Sequence, residues 1–208
     1  MASIKELGEF KKDYEDIFLK TENNRCKIYI AHNIKTNQDC CLKVISKKQL
    51  ELEDYDFLIE HIQLEEEITK LCGSQNTVNF HRKLENDNSI IFELEYCETD
   101  LREYLNDNGR LGRNKKLFKE IVIGIAKALK TLQKNGVMHR DIKPDNIFIK
   151  SMDDASNIII KLGNFNCSIY IKDNTSEPMG TILYSSPEII KNFKLKILNI
   201  MKNVIYGV

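Results

Sequence analysis

The stretch His139-Arg140-Asp141-Ile142-Lys143-Pro144-Asp145-Asn146 decides how this chain reads. An acid, a lysine two residues later and an asparagine three beyond that follow one another at fixed offsets, and an apolar pair, Ile147 and Phe148, comes next. A plain polar turn gives no reason for that order. Upstream, Leu117, Ile121, Ile125, Leu129 and Leu132 recur every three or four residues between Arg113 and Lys134, and Gly136 follows. That spacing predicts a long amphipathic helix that stops shortly before the polar stretch.

Further upstream the pattern changes period. Cys26, Ile28 and Ile30 alternate with polar neighbours, Asn33 to Asp39 carry turn chemistry, and Cys40 to Ile45 form a second apolar run, which together predict a β-hairpin. Phe57, Leu58, Ile62, Leu64, Ile68 and Leu71 predict a helix over 56–71 that ends at Gly73. Another strand is expected over 89–96, after the turn residues Asn86, Asp87 and Asn88. Strands with one helix, followed by a mainly helical part, give an α+β chain whose two parts meet near 97–99.

The His139–Asn146 stretch resembles the catalytic loop H-R-D-x-K-x-x-N of eukaryotic-type protein kinases, and the lysine two places after the acid is the serine/threonine form. The resemblance runs from about Tyr14 to Glu188 and implies a bilobal fold. Its small β-rich upper lobe would cover about 14–97, and its incomplete helical lower lobe about 98–188. It also implies ATP with Mg²⁺ as cofactors and a protein as substrate or partner. Phosphoryl transfer needs a carboxylate to orient the attacking hydroxyl, a cation near the moving phosphoryl and a metal ligand. By resemblance these are Asp141, Lys143 and Asn146. Lys43 then corresponds to the lysine that binds the α and β phosphates, with Glu67 as its ion-pair partner and Glu66 as the rival. Leu94, Glu95 and Cys97 correspond to the hinge beside the adenine. Gly180-Thr181 and Ser186-Pro187-Glu188 resemble the end of an activation segment, within which Thr175 and Ser176 would be phosphate acceptors for a cation such as Arg140. In the family Glu188 pairs with an arginine that lies beyond this sequence.

Two departures inside the resemblance bear on activity. Asn164-Phe165-Asn166 stands where the family has Asp-Phe-Gly, so the metal position holds an amide, which lacks the negative charge that Mg²⁺ prefers. Thr21 to Cys26 occupies the place of the glycine-rich phosphate loop, and no glycine occurs between Gly8 and Gly73. Bulky residues there keep backbone N–H groups away from phosphates. The expectation is a pseudokinase or binding module with weak or lost phosphotransfer. Two alternatives stand beside it: an active kinase in a longer native form, and a degenerate fragment without a role.

The remaining 189–208 read as an atypical tail. Shifted by two bases, codons permitted for its last ten residues can spell an Asp-x-Trp-Ser stretch like the one opening the family's next helix. A changed reading frame is one expectation for this tail, and a chance low-complexity end is the other. Lys plus Arg and Asp plus Glu number 31 each, so no net field recruits nucleic acid or an anionic membrane. The six cysteines contain no C-x-x-C pair, and no apolar run is long enough to span a bilayer. A cytoplasmic location, with the nucleus as alternative, is expected. His139 belongs to the loop motif, while His32, His61 and His81 form no metal-binding pattern.

Overall fold

A computed structural model describes residues 5–23, 26–50, 55–109, 114–151, 158–173, 179–192 and 194. Five antiparallel strands form the upper sheet in the order β1-β2-β3-β5-β4: β1 (Tyr14–Glu22), β2 (Cys26–Asn33), β3 (Gln38–Ser46), β4 (Phe80–Glu85) and β5 (Ser89–Glu95). The expected hairpin is β2 and β3, with Ile28 opposite Lys43 and Asn37 in the left-handed conformation at its turn (φ 53°). Asparagine is among the few side chains that tolerate this geometry.

Alternation along these strands divides the sheet's two faces. One face carries Tyr29, Ala31, Leu42, Val44 and Ile91, and a strap of 3-10 turns, Lys5–Asp13, seals it with the fully buried Leu7. The other face carries Ile45, Ile90 and Phe92 and packs against Leu58 and Ile62. Those two leucine and isoleucine side chains belong to α2 (Tyr55–Leu71), which follows a single helical turn, α1 (Lys47–Leu50), and matches the helix expected over 56–71. The strap and β1 were not foreseen: the strap is a charged segment, and β1 buries only its first residue, Tyr14, so neither shows a periodic apolar signal.

After β5 the chain passes through a two-residue strand, β6 (Thr99–Asp100), into α3 (Leu101–Asn108), which Asp100 caps by accepting from the Glu103 N–H. The long helix is α4 (Lys115–Lys134), capped by Asn114 and terminated by Gly136 at φ 65°. Its buried face, Leu117, Ile121, Ala128 and Leu132, packs on β8 (Ile147–Ser151) and β9 (Ile158–Leu162), with Ile68 of α2 and Cys72 just after it closing the same core. Gly124 permits the close approach, because a Cβ there would come within 2.6 Å of the Ile160 Cβ. The strands β6, β8 and β9 form one sheet, and β7 (Val137–Met138) pairs with β10 (Ile169–Tyr170). The fold is α+β with a β-rich upper part and a partly helical lower part, as the sequence leads one to expect. No helix among the described residues is long and apolar enough to cross a membrane.

Candidate functional site

The loop from His139 to Asn146 leaves β7 and enters β8, so two short strands fix its ends. His139 is buried, with Nε2 within 3.0 Å of the Gly163 carbonyl and its ring against Phe165. Burial holds its pKa below the usual histidine value, despite the opposing hydrogen bond to Gly163. Arg140 takes a left-handed backbone (φ 64°) and donates from Nε to the Cys167 carbonyl at 2.6 Å. That turn leads directly into Asp141, which is buried.

Asp141 is where the expected residues converge. Its Oδ1 accepts from the Thr181 N–H at 2.8 Å and from the Thr181 hydroxyl at 2.7 Å. Its Oδ2 takes Lys143 Nζ at 3.0 Å and Asn146 Nδ2 at 2.9 Å. Burial alone would raise this carboxyl, but Thr181, Lys143 and Asn146 outweigh it and lower the pKa. Lys143 also donates to the Thr181 hydroxyl at 2.7 Å. Asp141, Lys143 and Asn146 of one loop therefore meet Thr181, 35 or more residues further along the chain, in one cluster.

Asn164 sits beside that cluster in a left-handed conformation (φ 63°, ψ 72°), and its Nδ2 donates to Asn146 Oδ1 at 2.9 Å. The two candidate metal ligands thus bind each other. An aspartate at 164 has no proton to give at neutral pH, so this bond is specific to the amide. Asn166 needs no glycine-like geometry: the residues with left-handed φ among those described do not include it, and it lies exposed in a 3-10 turn.

The upper lobe supplies Lys43, but its partner is Glu65, not Glu67 or Glu66. Nζ lies 2.5 Å from Glu65 Oε1, and both side chains are buried. Burial would lower the Lys43 pKa, yet the Glu65 carboxylate holds it above the usual value. The correction follows from helix phase: Leu58, Ile62, Glu65 and Thr69 share the inward face of α2 at spacings of four, three and four. Glu66 accepts from Lys70, and Glu67, exposed on another face, accepts from the Tyr170 hydroxyl at 2.5 Å.

At the hinge, Leu94 lies opposite Cys41 of β3, and Cys97 is buried, its thiol pushed up to about 12 by burial. The Glu95 side chain turns away from the cleft toward Asn79, Lys150 and Lys161. Where a phosphate loop is expected, the described residues on either side of the β1–β2 connection bind each other: Asn23 N–H donates to the Cys26 carbonyl, and Cys26 N–H donates to Asn23 Oδ1 at 2.9 Å. Lys20 of β1 reaches Glu103 of α3 at 2.9 Å, an ion pair between the two lobes.

Thr175 and Ser176 lie outside the described residues, as does most of the 189–208 tail. Glu188 is exposed. All six cysteines are free thiols, and no cluster of His, Cys, Asp or Glu suited to a metal occurs among the described residues.

The comparisons agree with this geometry. The protein kinase domain family model matches residues 24–197. The serine/threonine-protein kinase ATG1a of Arabidopsis thaliana is 29% identical over 173 residues, 80% of this chain and 26% of that protein. The serine/threonine-protein kinase atg1 of Dictyostelium discoideum is 30% identical over 178 residues, 82% of this chain and 26% of that protein. Over a shorter span of 105 residues, half of this chain and 6% of the relative, the eukaryotic translation initiation factor 2-alpha kinase 1 of Plasmodium falciparum is 40% identical. The chain thus spans about a quarter of the length of these first two relatives. With the loop, the buried Lys43–Glu65 pair and the two-part architecture all in family order, the chain belongs to the protein kinase domain family, with serine/threonine kinases as its relatives.

Proposed function

We propose that this chain is a kinase-fold binding module of serine/threonine lineage whose phosphotransfer is weak or lost. The observation that carries the reading is the Asn164 Nδ2 to Asn146 Oδ1 hydrogen bond. Mg²⁺ demands hard, preferably anionic oxygens in near-octahedral order. Here the two residues in the metal positions are neutral amides, and one of their oxygens is already engaged by the other's NH₂ group. Both Asp141 oxygens are also committed to donors. This donor set does not fit the ion, and no metal-dependent step is assigned to it.

The phosphate side supports the same reading. In the β1–β2 turn the Asn23 and Cys26 N–H groups are spent on each other's residue instead of facing the cleft. Lys43, held by Glu65, remains as the cation able to meet a phosphate. A nucleotide would therefore be held by the hinge main chain and Lys43, and little by metal. ATP is expected to raise the melting temperature equally with Mg²⁺ and with EDTA. In Asn164→Asp the shift should grow when Mg²⁺ is added, because a carboxylate replaces the amide donor. A wild-type shift that requires Mg²⁺ would refute the reading.

The alternative, an active kinase in a longer native form, draws on the assembled Asp141–Lys143–Thr181 cluster. In that form Asp141 would orient a substrate hydroxyl and Lys143 would neutralise the transferring group. Phosphate incorporation into a protein acceptor that disappears in Asp141→Ala would favour it over the binding module.

A further inference from the structure

Glu95 ends β5 at the point where the lobes join, and its side chain is 10% exposed. Four donors converge on it: Asn79 N–H at 3.1 Å, Asn79 Nδ2 at 3.0 Å, and Lys150 and Lys161 Nζ at 2.8 Å each. In return, Glu95 N–H donates to the Asn79 carbonyl at 3.0 Å. Lys161 is only 3% exposed, and its ammonium also reaches the carbonyls of Ser74 and Thr77, both at 3.1 Å. An ammonium has three protons, and here all three have acceptors.

These contacts come from four places in the chain. Asn79, Ser74 and Thr77 belong to the segment between α2 and β4, Glu95 to the hinge, Lys150 to β8 and Lys161 to β9. The same segment is stapled to β9 by its backbone, with Val78 N–H to the Leu162 carbonyl and Leu162 N–H to the Asn76 carbonyl, each at 2.9 Å. Rotating the hinge would pull Lys161 off the carboxylate while leaving its charge in a dry site, where an unpaired cation is strongly disfavoured.

We propose that Glu95, Lys161 and Lys150 form an electrostatic lock that holds the hinge in one setting whether or not the cleft contains a nucleotide. Glu95 and the two lysines are positioning residues: they set the hinge main chain without touching a ligand. The proposal stands apart from the question of phosphotransfer, and its test uses the nucleotide-free full chain.

Amide hydrogen exchange would be followed at Asn79 and Tyr96 to Thr99, with Lys43 and Val44 of β3 as internal reference. Lys161→Met and Glu95→Gln should each speed exchange at Asn79 and the hinge by about tenfold or more and leave β3 unchanged, as local opening does. The double variant should exchange no faster than either single one, because the partners act as a unit. Unchanged hinge exchange, additive effects, or equal acceleration of hinge and β3 would overturn the lock. Should Lys161→Met fail to fold, Lys150→Met, which removes the more exposed lysine, should still raise exchange at the same amides about threefold. No change there would overturn the proposal.

Discussion

Among three consecutive glutamates on α2, one is buried against Lys43 and two are not, so charge-neutral substitutions should separate them sharply. Glu65→Gln leaves a buried lysine without its counter-charge and should lower stability by about 3–5 kcal/mol. Glu67→Gln keeps an acceptor for the exposed Tyr170 hydroxyl and loses only the charge, so it should lower stability by about 1 kcal/mol or less. Urea melts of the two variants check this, and equal losses would remove the assigned phase. The example also marks the limit of what the sequence discloses at this scale. Asp141, Lys143 and Asn146 were legible because their offsets lie within one loop. The lysine's partner was not, because one residue of error in phase moves a helix side chain by 100°, and the apolar pattern of α2 is broad. The Asn164–Asn146 bond and the orientation of Glu95 were likewise invisible, since each depends on how separate elements meet.

At the scale of elements, α4 lies close against β9 at Gly124. A methyl at Gly124 would press on Ile160 Cβ and on its main chain. Gly124→Ala gains helix propensity but overpacks the core, and the second effect is the larger. A net loss of about 1–3 kcal/mol is expected in a thermal or urea melt. A more stable variant would show that β9 yields freely. The helices α2 and α4 and the β2–β3 hairpin were readable because their apolar residues keep one period over many positions. β4, with the sequence Phe-His-Arg-Lys-Leu-Glu, was not, since intermediate exposure on most of its length leaves no alternation to detect. Strand β9 was missed for the opposite reason: Ile158 to Ile160 form an unbroken apolar run, and its lysine is buried, contrary to the usual exposure of that residue type.

For the whole molecule, acid is the condition that tests the charge network around Glu93 within the upper sheet. Burial would raise the Glu93 carboxyl, but His81, Tyr14, Arg82 and Asn33 outweigh it and bring the pKa down to about 2. A carboxyl depressed in the folded state adds stability that is complete above its unfolded pKa, near 4.5, and is lost as pH falls toward about 2. His139, kept neutral by burial, has the same sign and acts earlier: the unfolded chain gains a proton as pH drops through about 6.5, and the folded chain resists it. The melting temperature should therefore decline steeply below about pH 4.5, while near pH 6.5 the loss at His139 is opposed by His32, whose hydrogen bond to Asp39 holds its pKa above the usual value. Glu93→Gln should be less stable at pH 7 and should flatten the steep limb, and an unaltered limb would shift responsibility to other carboxylates.

The strap over the outer sheet face bears on where this protein can be cut. The family match starts at residue 24, after Leu7 and all of β1. A gene trimmed to that start would encode a product beginning inside a hairpin, with Leu42, Val44 and Ile91 wetted and Glu93 deprived of Tyr14. Such a product would be sticky and less stable for reasons unrelated to its cleft, and its failure in an assay would say nothing about catalysis.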